Sequence, residues 1–238
     1  MALPKLNNVP LYSMKIPSTG QEIKYRPFLV KEQKVLMIAS ESEDKKQILS
    51  AMLKTISNCV EEDINVGNLA TFDVDYMFTQ IRAKAVGESA ELSLLCSSCE
   101  KFTDFKVDLN AIEPPSGIDT NIVIDITSDI KVKMKYPSYN TIISNEKINS
   151  DDMDNPNFLV EFVLSCIESV MTPEENIMMR DEPIEDRNAF IESLTSEQFE
   201  SLGKFISSIP KLVHEVKVNC EHCSHLNVKS LEGIDDFF

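Results

Sequence analysis

Glycine is scarce, with only six in 238 residues, and no glycine-rich phosphate loop is present, which leaves little room for a nucleotide cradle. A Gly-x-Ser-x-Gly elbow and a His-Glu-x-x-His helix are also missing, which removes two common hydrolase signatures and leaves no catalytic candidate. No apolar run approaches the roughly 18 residues of a membrane span. The opening Met-Ala-Leu-Pro-Lys-Leu-Asn-Asn lacks the charged and apolar regions of a secretory leader. The expectation is a soluble, intracellular protein. Positive charge is in deficit too: 23 Lys and Arg stand against 39 Asp and Glu, a formal net of -16. That field repels polyanions and argues against nucleic acid or an anionic membrane as the main partner. A basic protein surface is the more natural target.

What is present suffices for a buried core, since 42% of the residues are hydrophobic. The acidity is local. Between Asp151 and Glu200 there are 14 Asp and Glu against Arg180 and Arg187, leaving a net of only -4 for the other 188 residues. Glu174, Glu175 and the run Asp181 to Asp186 form either a docking face for a basic partner or a solvated acidic surface. The terminal Phe237-Phe238 reads equally as an anchor in a partner or as packing on the parent domain.

Periodicity organises the rest. Tyr12, Met14 and Ile16 alternate with polar residues, Pro17 to Gly20 turns, and Ile23 and Tyr25 alternate again, which predicts a hairpin. Helical spacing follows over Val30 to Ala39, through Ile48, Leu49, Met52, Leu53 and Ile56, and through Val74, Met77, Phe78 and Ile81. The pattern then changes to strands on either side of Cys96-Ser-Ser-Cys99. A further hairpin is predicted from Ile122–Ile126 and Ile130–Tyr136. Between Pro137 and Pro210 the reading is helical, with Thr195 or Ser196 and Gln198 forming a capping box. Val213 to Val218 is read as a strand before Cys220-Glu-His-Cys223, and Leu226 and Val228 begin another. The expected class is α+β: an N-terminal hairpin and helices over 1–88, a zinc-ribbon-like β region over 89–136 with 211–238, and an acidic helical insertion over 137–210.

Six cysteines could in principle form disulfides, but without a secretory leader metal binding or burial is the better reading. Each Cys-x-x-Cys knuckle presents two thiolates from one tight turn, and two knuckles complete a closed tetrahedral zinc site. Cys96, Cys99, Cys220 and Cys223 are therefore the expected ligands of one structural Zn2+, with no position left for catalysis. The alternative is a set of unmetallated core or redox cysteines. The 120 residues between Cys99 and Cys220 exceed the usual ribbon spacing. Closing a loop of ~120 rather than ~20 residues costs only about 1.6 kcal/mol more, against roughly 10–16 kcal/mol of zinc binding. The residues after the knuckles, Glu100 and Ser224, replace the glycine that eases a left-handed turn in many ribbons. His222 and His225 are candidate substitute ligands, with exposed histidine as the plainer reading. Cys59 and Cys166 lie on apolar helical faces and read as small core hydrophobes.

Several segments occur together: Ile16-Pro-Ser-Thr-Gly20, Tyr25-Arg-Pro-Phe-Leu-Val-Lys-Glu-Gln-Lys34, Phe72 to Glu88 with its Tyr-x-Phe-x-x-x-Arg-Ala-Lys core, and the two knuckles. In these the chain resembles the baseplate hub protein family of contractile-tailed bacteriophages of the T-even type, from about residue 10 onward. The resemblance implies a non-enzymatic role in building the central hub, through contacts with other hub or tail proteins. It places the protein in the host cytoplasm during assembly and in the tail baseplate. A transient chaperone for the hub or the tape-measure protein is an alternative within that family. A zinc-ribbon nucleic-acid or transcription module is the alternative of another class, opposed by the charge.

Overall fold

A computed structural model describes residues 9–42, 44–145 and 156–233. In chain order, β1 (Tyr12–Lys15) and β2 (Glu22–Tyr25) lead into α1 (Val30–Glu41), α2 (Lys45–Cys59) and α3 (Thr71–Ala85). Next come β3 (Ser89–Leu95), β4 (Phe102–Asp108), β5 (Val123–Asp125), β6 (Lys131–Met134), α4 (Tyr139–Ser144) and α5 (Pro156–Cys166). The chain continues through β7 (Ile167–Met171), β8 (Asn176–Met178), α6 (Ile184–Glu192) and α7 (Ser196–Ser207), and closes with β9 (Val213–Asn219) and β10 (Leu226–Glu232). Among the described residues every strand pairing is antiparallel, and helices and small sheets alternate without parallel crossovers, so the class is α+β. The contacts divide the chain into two units, one of 1–66, 72–116 and 210–238, the other of 67–71 and 117–209.

In the first unit β1 and β2 pair as the alternation predicts, with Met14 opposite Ile23. Gly20, at φ 67°, closes the turn by donating to the Ile16 carbonyl. Most of the predicted helical faces are buried, Met52, Leu53 and Ile56 of α2 and Val74, Met77, Phe78 and Ile81 of α3, whereas Ile48 in the first turn of α2 is exposed. Asp44 caps α2 by accepting from the amides of Lys46 and Gln47. Arg26 bridges elements, donating to Glu32 on α1 at 3.0 Å and to the Asn58 carbonyl at 2.8 Å. Hairpins β3–β4 and β9–β10 each pair over seven residues. Their inward side chains Ala90, Val107, Val216, Val218 and Leu231 share one core with Ala83 of α3.

The second unit is built on the sheet β5-β6-β7-β8. Ile124 pairs with Val132, as the hairpin pattern predicts. The other half of the sheet departs from the helical reading of 137–210: Ile167 to Met171 turns extended directly after α5 and pairs along β6, with Val170 opposite Val132. A helical period does not register this, because the run pairs with β6 from upstream as well as with the adjacent β8, where Val170 stands opposite Ile177. Helices α5, α6 and α7 contribute Val163, Cys166, Ile191, Leu202 and Phe205 to the core over this sheet. Leu159 of α5, by contrast, is 43% exposed. Thr195 is the N-cap of α7: its hydroxyl accepts from the Gln198 amide and its own amide donates to the Gln198 side chain.

Candidate metal centre

The first unit brings the two knuckles together. Each sits at the turn of a hairpin, Cys96 to Cys99 between β3 and β4, and Cys220 to Cys223 between β9 and β10. The local backbone is the same in both. The Glu100 amide donates to the Cys96 carbonyl and the Cys96 amide to the Lys101 carbonyl. The Ser224 amide donates to the Cys220 carbonyl and the Cys220 amide to the His225 carbonyl. Glu100 and Ser224, at φ 55° and 59°, occupy the left-handed conformation that glycine would adopt more easily. The turn is thus made without glycine, at a strain of roughly 1–2 kcal/mol per residue.

The four sulfurs all lie within 4.8 Å of one another. Cys96 and Cys223 are 3.7 Å apart and Cys99 and Cys220 3.6 Å apart, so the close pairs cross between knuckles. Four sulfurs bonded to one ion at ~2.3 Å in a tetrahedron stand ~3.8 Å apart. The cluster therefore has the size and donor set to hold a single metal ion.

Hydrogen bonds single out the first cysteine of each knuckle, and both of these are buried. The Cys96 sulfur accepts from the Ser98 amide at 3.4 Å, and the Cys220 sulfur from the His222 amide at 3.4 Å. Each also accepts from the opposite hairpin: Thr103 Oγ1 of β4 reaches Cys220 at 3.5 Å and Asn227 Nδ2 of β10 reaches Cys96 at 3.6 Å. Donors aimed at sulfur favour the thiolate. The Thr103 hydroxyl, helped by the local amides, holds Cys220 down at about 5 despite desolvation. The Ser98 amide lowers Cys96 in the same way. At Cys99 the Lys101 amide also favours the thiolate, but desolvation and the adjacent thiols prevail and push the group up to about 12. Thiols this close titrate as one coupled group in separate steps, and a bound ion would take the place of their protons with one shared cation.

Thr103 and Asn227 lie outside the Cys-x-x-Cys motifs, but the sequence carries a signal for them. Each follows the second cysteine of its knuckle by four positions, and the pairs Cys96/Cys220, Cys99/Cys223 and Thr103/Asn227 share one offset of 124 residues. Asn227 also accepts from the Ser97 amide and hydroxyl, tying the second hairpin to the first knuckle.

The other candidates fall elsewhere. Among the described residues His222 and His225 are outside the sulfur cluster. His222 Nε2 lies 3.2 Å from the Phe102 carbonyl and the His225 carbonyl serves the knuckle backbone. Cys59 and Cys166 are buried singly, and desolvation pushes each thiol up to about 11, which suits core packing. Phe237-Phe238 lies outside the described residues. No helix among the described residues is long and apolar enough to cross a membrane.

No curated protein and no solved structure matches the chain. A family model does, the one described as T4 bacteriophage base plate protein, and it spans residues 9–238, taking in the Arg26–Glu32 junction, α3 and both knuckles. A match over nearly the whole length, by a family whose members are structural parts of a phage tail, makes this chain a member of the T4-type bacteriophage baseplate protein family.

Proposed function

We propose that this protein is a non-enzymatic component of the baseplate hub, acting through contacts with other hub or tail proteins, and that Cys96, Cys99, Cys220 and Cys223 hold one structural Zn2+. The observation that carries the metal is the convergence of four sulfurs from hairpin turns 120 residues apart. An all-thiolate tetrahedral donor set suits zinc among the common divalent ions and leaves no open coordination position. The ion supplies a cross-link and neutralises clustered thiolate charge. It makes β3–β4 and β9–β10 a rigid, zinc-ribbon-like platform across chain ends that sequence alone keeps far apart. The hub assignment is supported by the Arg-Pro-Phe segment and the Tyr-x-Phe-x-x-x-Arg-Ala-Lys helix, on which the resemblance to hub proteins rests.

Elemental analysis of full-length protein purified without chelator tests the metal. The expected content is about one zinc per chain, lost together with thermal stability on Cys96→Ser/Cys220→Ser substitution. Metal-free protein with unchanged stability in the substituted form overturns that part. Infection with phage deprived of this protein tests the role: tails are expected to stop before the central hub forms, and normal hubs overturn the assignment. Mass spectrometry of finished particles then separates a resident subunit from a transient chaperone.

A further inference from the structure

Strands β4 and β9 each pair on one side only, β4 with β3 and β9 with β10. The register shows which backbone groups are left over. The Cys96 amide bonds the Lys101 carbonyl and the Leu109 amide the Glu88 carbonyl, so, counting by twos, Thr103, Phe105 and Val107 turn their amides and carbonyls toward β3. Those of Asp104, Lys106 and Asp108 therefore point away from the sheet. The same count from the Cys220–His225 and Leu212–Gly233 bonds turns Glu215, Lys217 and Asn219 outward along β9. None of these six amides has a hydrogen-bond partner among the described residues.

Both free edges border one groove of about 460 Å³, lined by consecutive residues of β4 from Thr103 to Asp108 and of β9 from His214 to Asn219, with Glu221. Consecutive residues line a groove only along the edge of a strand, because one face shows every second residue. Near the metal centre the groove is closed: His222 Nε2 lies 3.2 Å from the Phe102 carbonyl, the next outward group on β4, and Thr103 Oγ1 reaches Cys220. Beyond that end the Cα atoms of the two strands stand more than 8 Å apart over most of their length. This excludes direct pairing, at ~4.8 Å, and is consistent with the ~10 Å that one intervening strand requires.

The chemistry of the groove describes its guest. Val107, Val216 and Val218 are buried on the inner side, so every second side chain of the guest is apolar. On the outer side Asp104, Asp108, Glu215 and Glu221 stand against Lys106 and Lys217, and both lysines are engaged, Lys106 with Glu91 at 2.9 Å and Lys217 with Glu215 at 3.5 Å. Asp104, Asp108 and Glu221 make no ion pair among the described residues. The alternate side chains of the guest are therefore basic. Among the described strands of this chain the one that alternates lysine with apolar residues is β6, and it is already paired on both sides, by β5 and β7. A second copy has no free strand of this kind to offer.

We infer that the β4–β9 groove receives an extended segment of a different protein, about five residues alternating apolar with Lys or Arg, which adds as a strand between the two hairpins. β4 leaves the metal centre and β9 returns to it, so the guest runs parallel to one and antiparallel to the other. Main-chain bonds to the free edges hold it, and the acidic outer residues select its charge. This rests on the protein-contact role proposed above and gives it a site, but metal content and hub formation do not depend on it, so the two fail separately.

Fluorescence anisotropy and amide hydrogen exchange on the full-length protein decide it, with a labelled peptide of about eight residues alternating Val and Lys as the probe. Saturable binding with a dissociation constant below ~1 mM is expected, about tenfold or more weaker for a Val–Glu peptide. Exchange of the Asp104, Lys106, Glu215 and Lys217 amides is expected to slow on binding. Lys106→Pro and Lys217→Pro each remove one outward amide at an edge position, where proline is tolerated, and circular dichroism verifies the fold. Each also removes a lysine, which by charge alone strengthens the binding of a basic peptide, so a loss of about tenfold identifies backbone pairing. The exchange measurement on wild type stands whether or not either variant folds. No binding at ~1 mM peptide overturns the proposal. Binding that leaves the four amides unprotected also overturns it, as charge attraction alone, and equal binding of the Val–Glu peptide overturns the basic partner.

Discussion

Thr103 and Asn227 stand in the same relationship to opposite knuckles: each is the fourth residue after the second cysteine of its own hairpin, and each donates to the first cysteine sulfur of the other. The two hairpins are thus cross-linked by hydrogen bonds as well as by the shared cluster. Partners of this kind orient ligands and tune their basicity.

Replacing Thr103 by Val, or Asn227 by Leu, keeps side-chain volume but removes the donor to sulfur. Affinity for Zn2+, read by competition with a chromophoric chelator, is expected to fall roughly 10–100-fold for each. Far-ultraviolet circular dichroism of the loaded protein should be unchanged.

Glu100 and Ser224 hold a left-handed backbone without being glycine. Substituting Gly removes roughly 1–2 kcal/mol of strain at each site, partly offset by about 0.5–1 kcal/mol of added chain entropy in the unfolded state. The expected result for either substitution is a small gain in thermal unfolding temperature of the metal-loaded protein, and a loss at both sites would show that the side chains contribute more than the strain costs.

Glu32 is buried against Arg26 and also accepts from the Leu29 amide. Desolvation alone would raise its carboxyl pKa, but the Arg26 hydrogen bond, the Leu29 amide and Lys31 outweigh it and hold the group below its ordinary 4.5. A lowered folded pKa means the stabilisation is complete above about 4.5 and is lost as pH falls through the lower folded value. Glu32→Gln is expected to destabilise the protein by roughly 1–3 kcal/mol at neutral pH, as loss of a buried, charge-assisted hydrogen-bond acceptor does. It should also flatten the acid limb of stability against pH, measured by urea unfolding.

Thr195 supplies both halves of a reciprocal cap with Gln198 at the start of α7, whose Leu202 and Phe205 enter the core of the second unit. Thr195→Ala is expected to cost about 1 kcal/mol. Denaturant titration should show the change in midpoint without a change in slope.

Local pattern and tertiary context each left a recognisable share in this molecule. Met14, Ile23, Ile56, Met77 and Ile81 fell on the faces their spacing assigned, because alternation or 3.6-residue recurrence fixes which side of an element is apolar. The capping box at Thr195 was readable for the same reason: its partners lie three residues apart. The extended run Ile167 to Met171 was not readable as part of this sheet: β8 pairs with it locally, but its other partner is β6, more than 30 residues upstream, and no local period records that pairing.

For the candidate centre, the sequence by itself determined the donor set: two Cys-x-x-Cys turns, each able to present two sulfurs in a backbone loop closed by its own hydrogen bonds. Only the tertiary structure decided that the two turns face each other with crossed sulfur pairs, and that Thr103 and Asn227 reach across to the opposite cysteines. The reason is physical. A short motif fixes geometry over a few residues, whereas the meeting of β3–β4 with β9–β10 depends on the core that Ala83, Val107, Val216 and Leu231 build between segments remote in the chain.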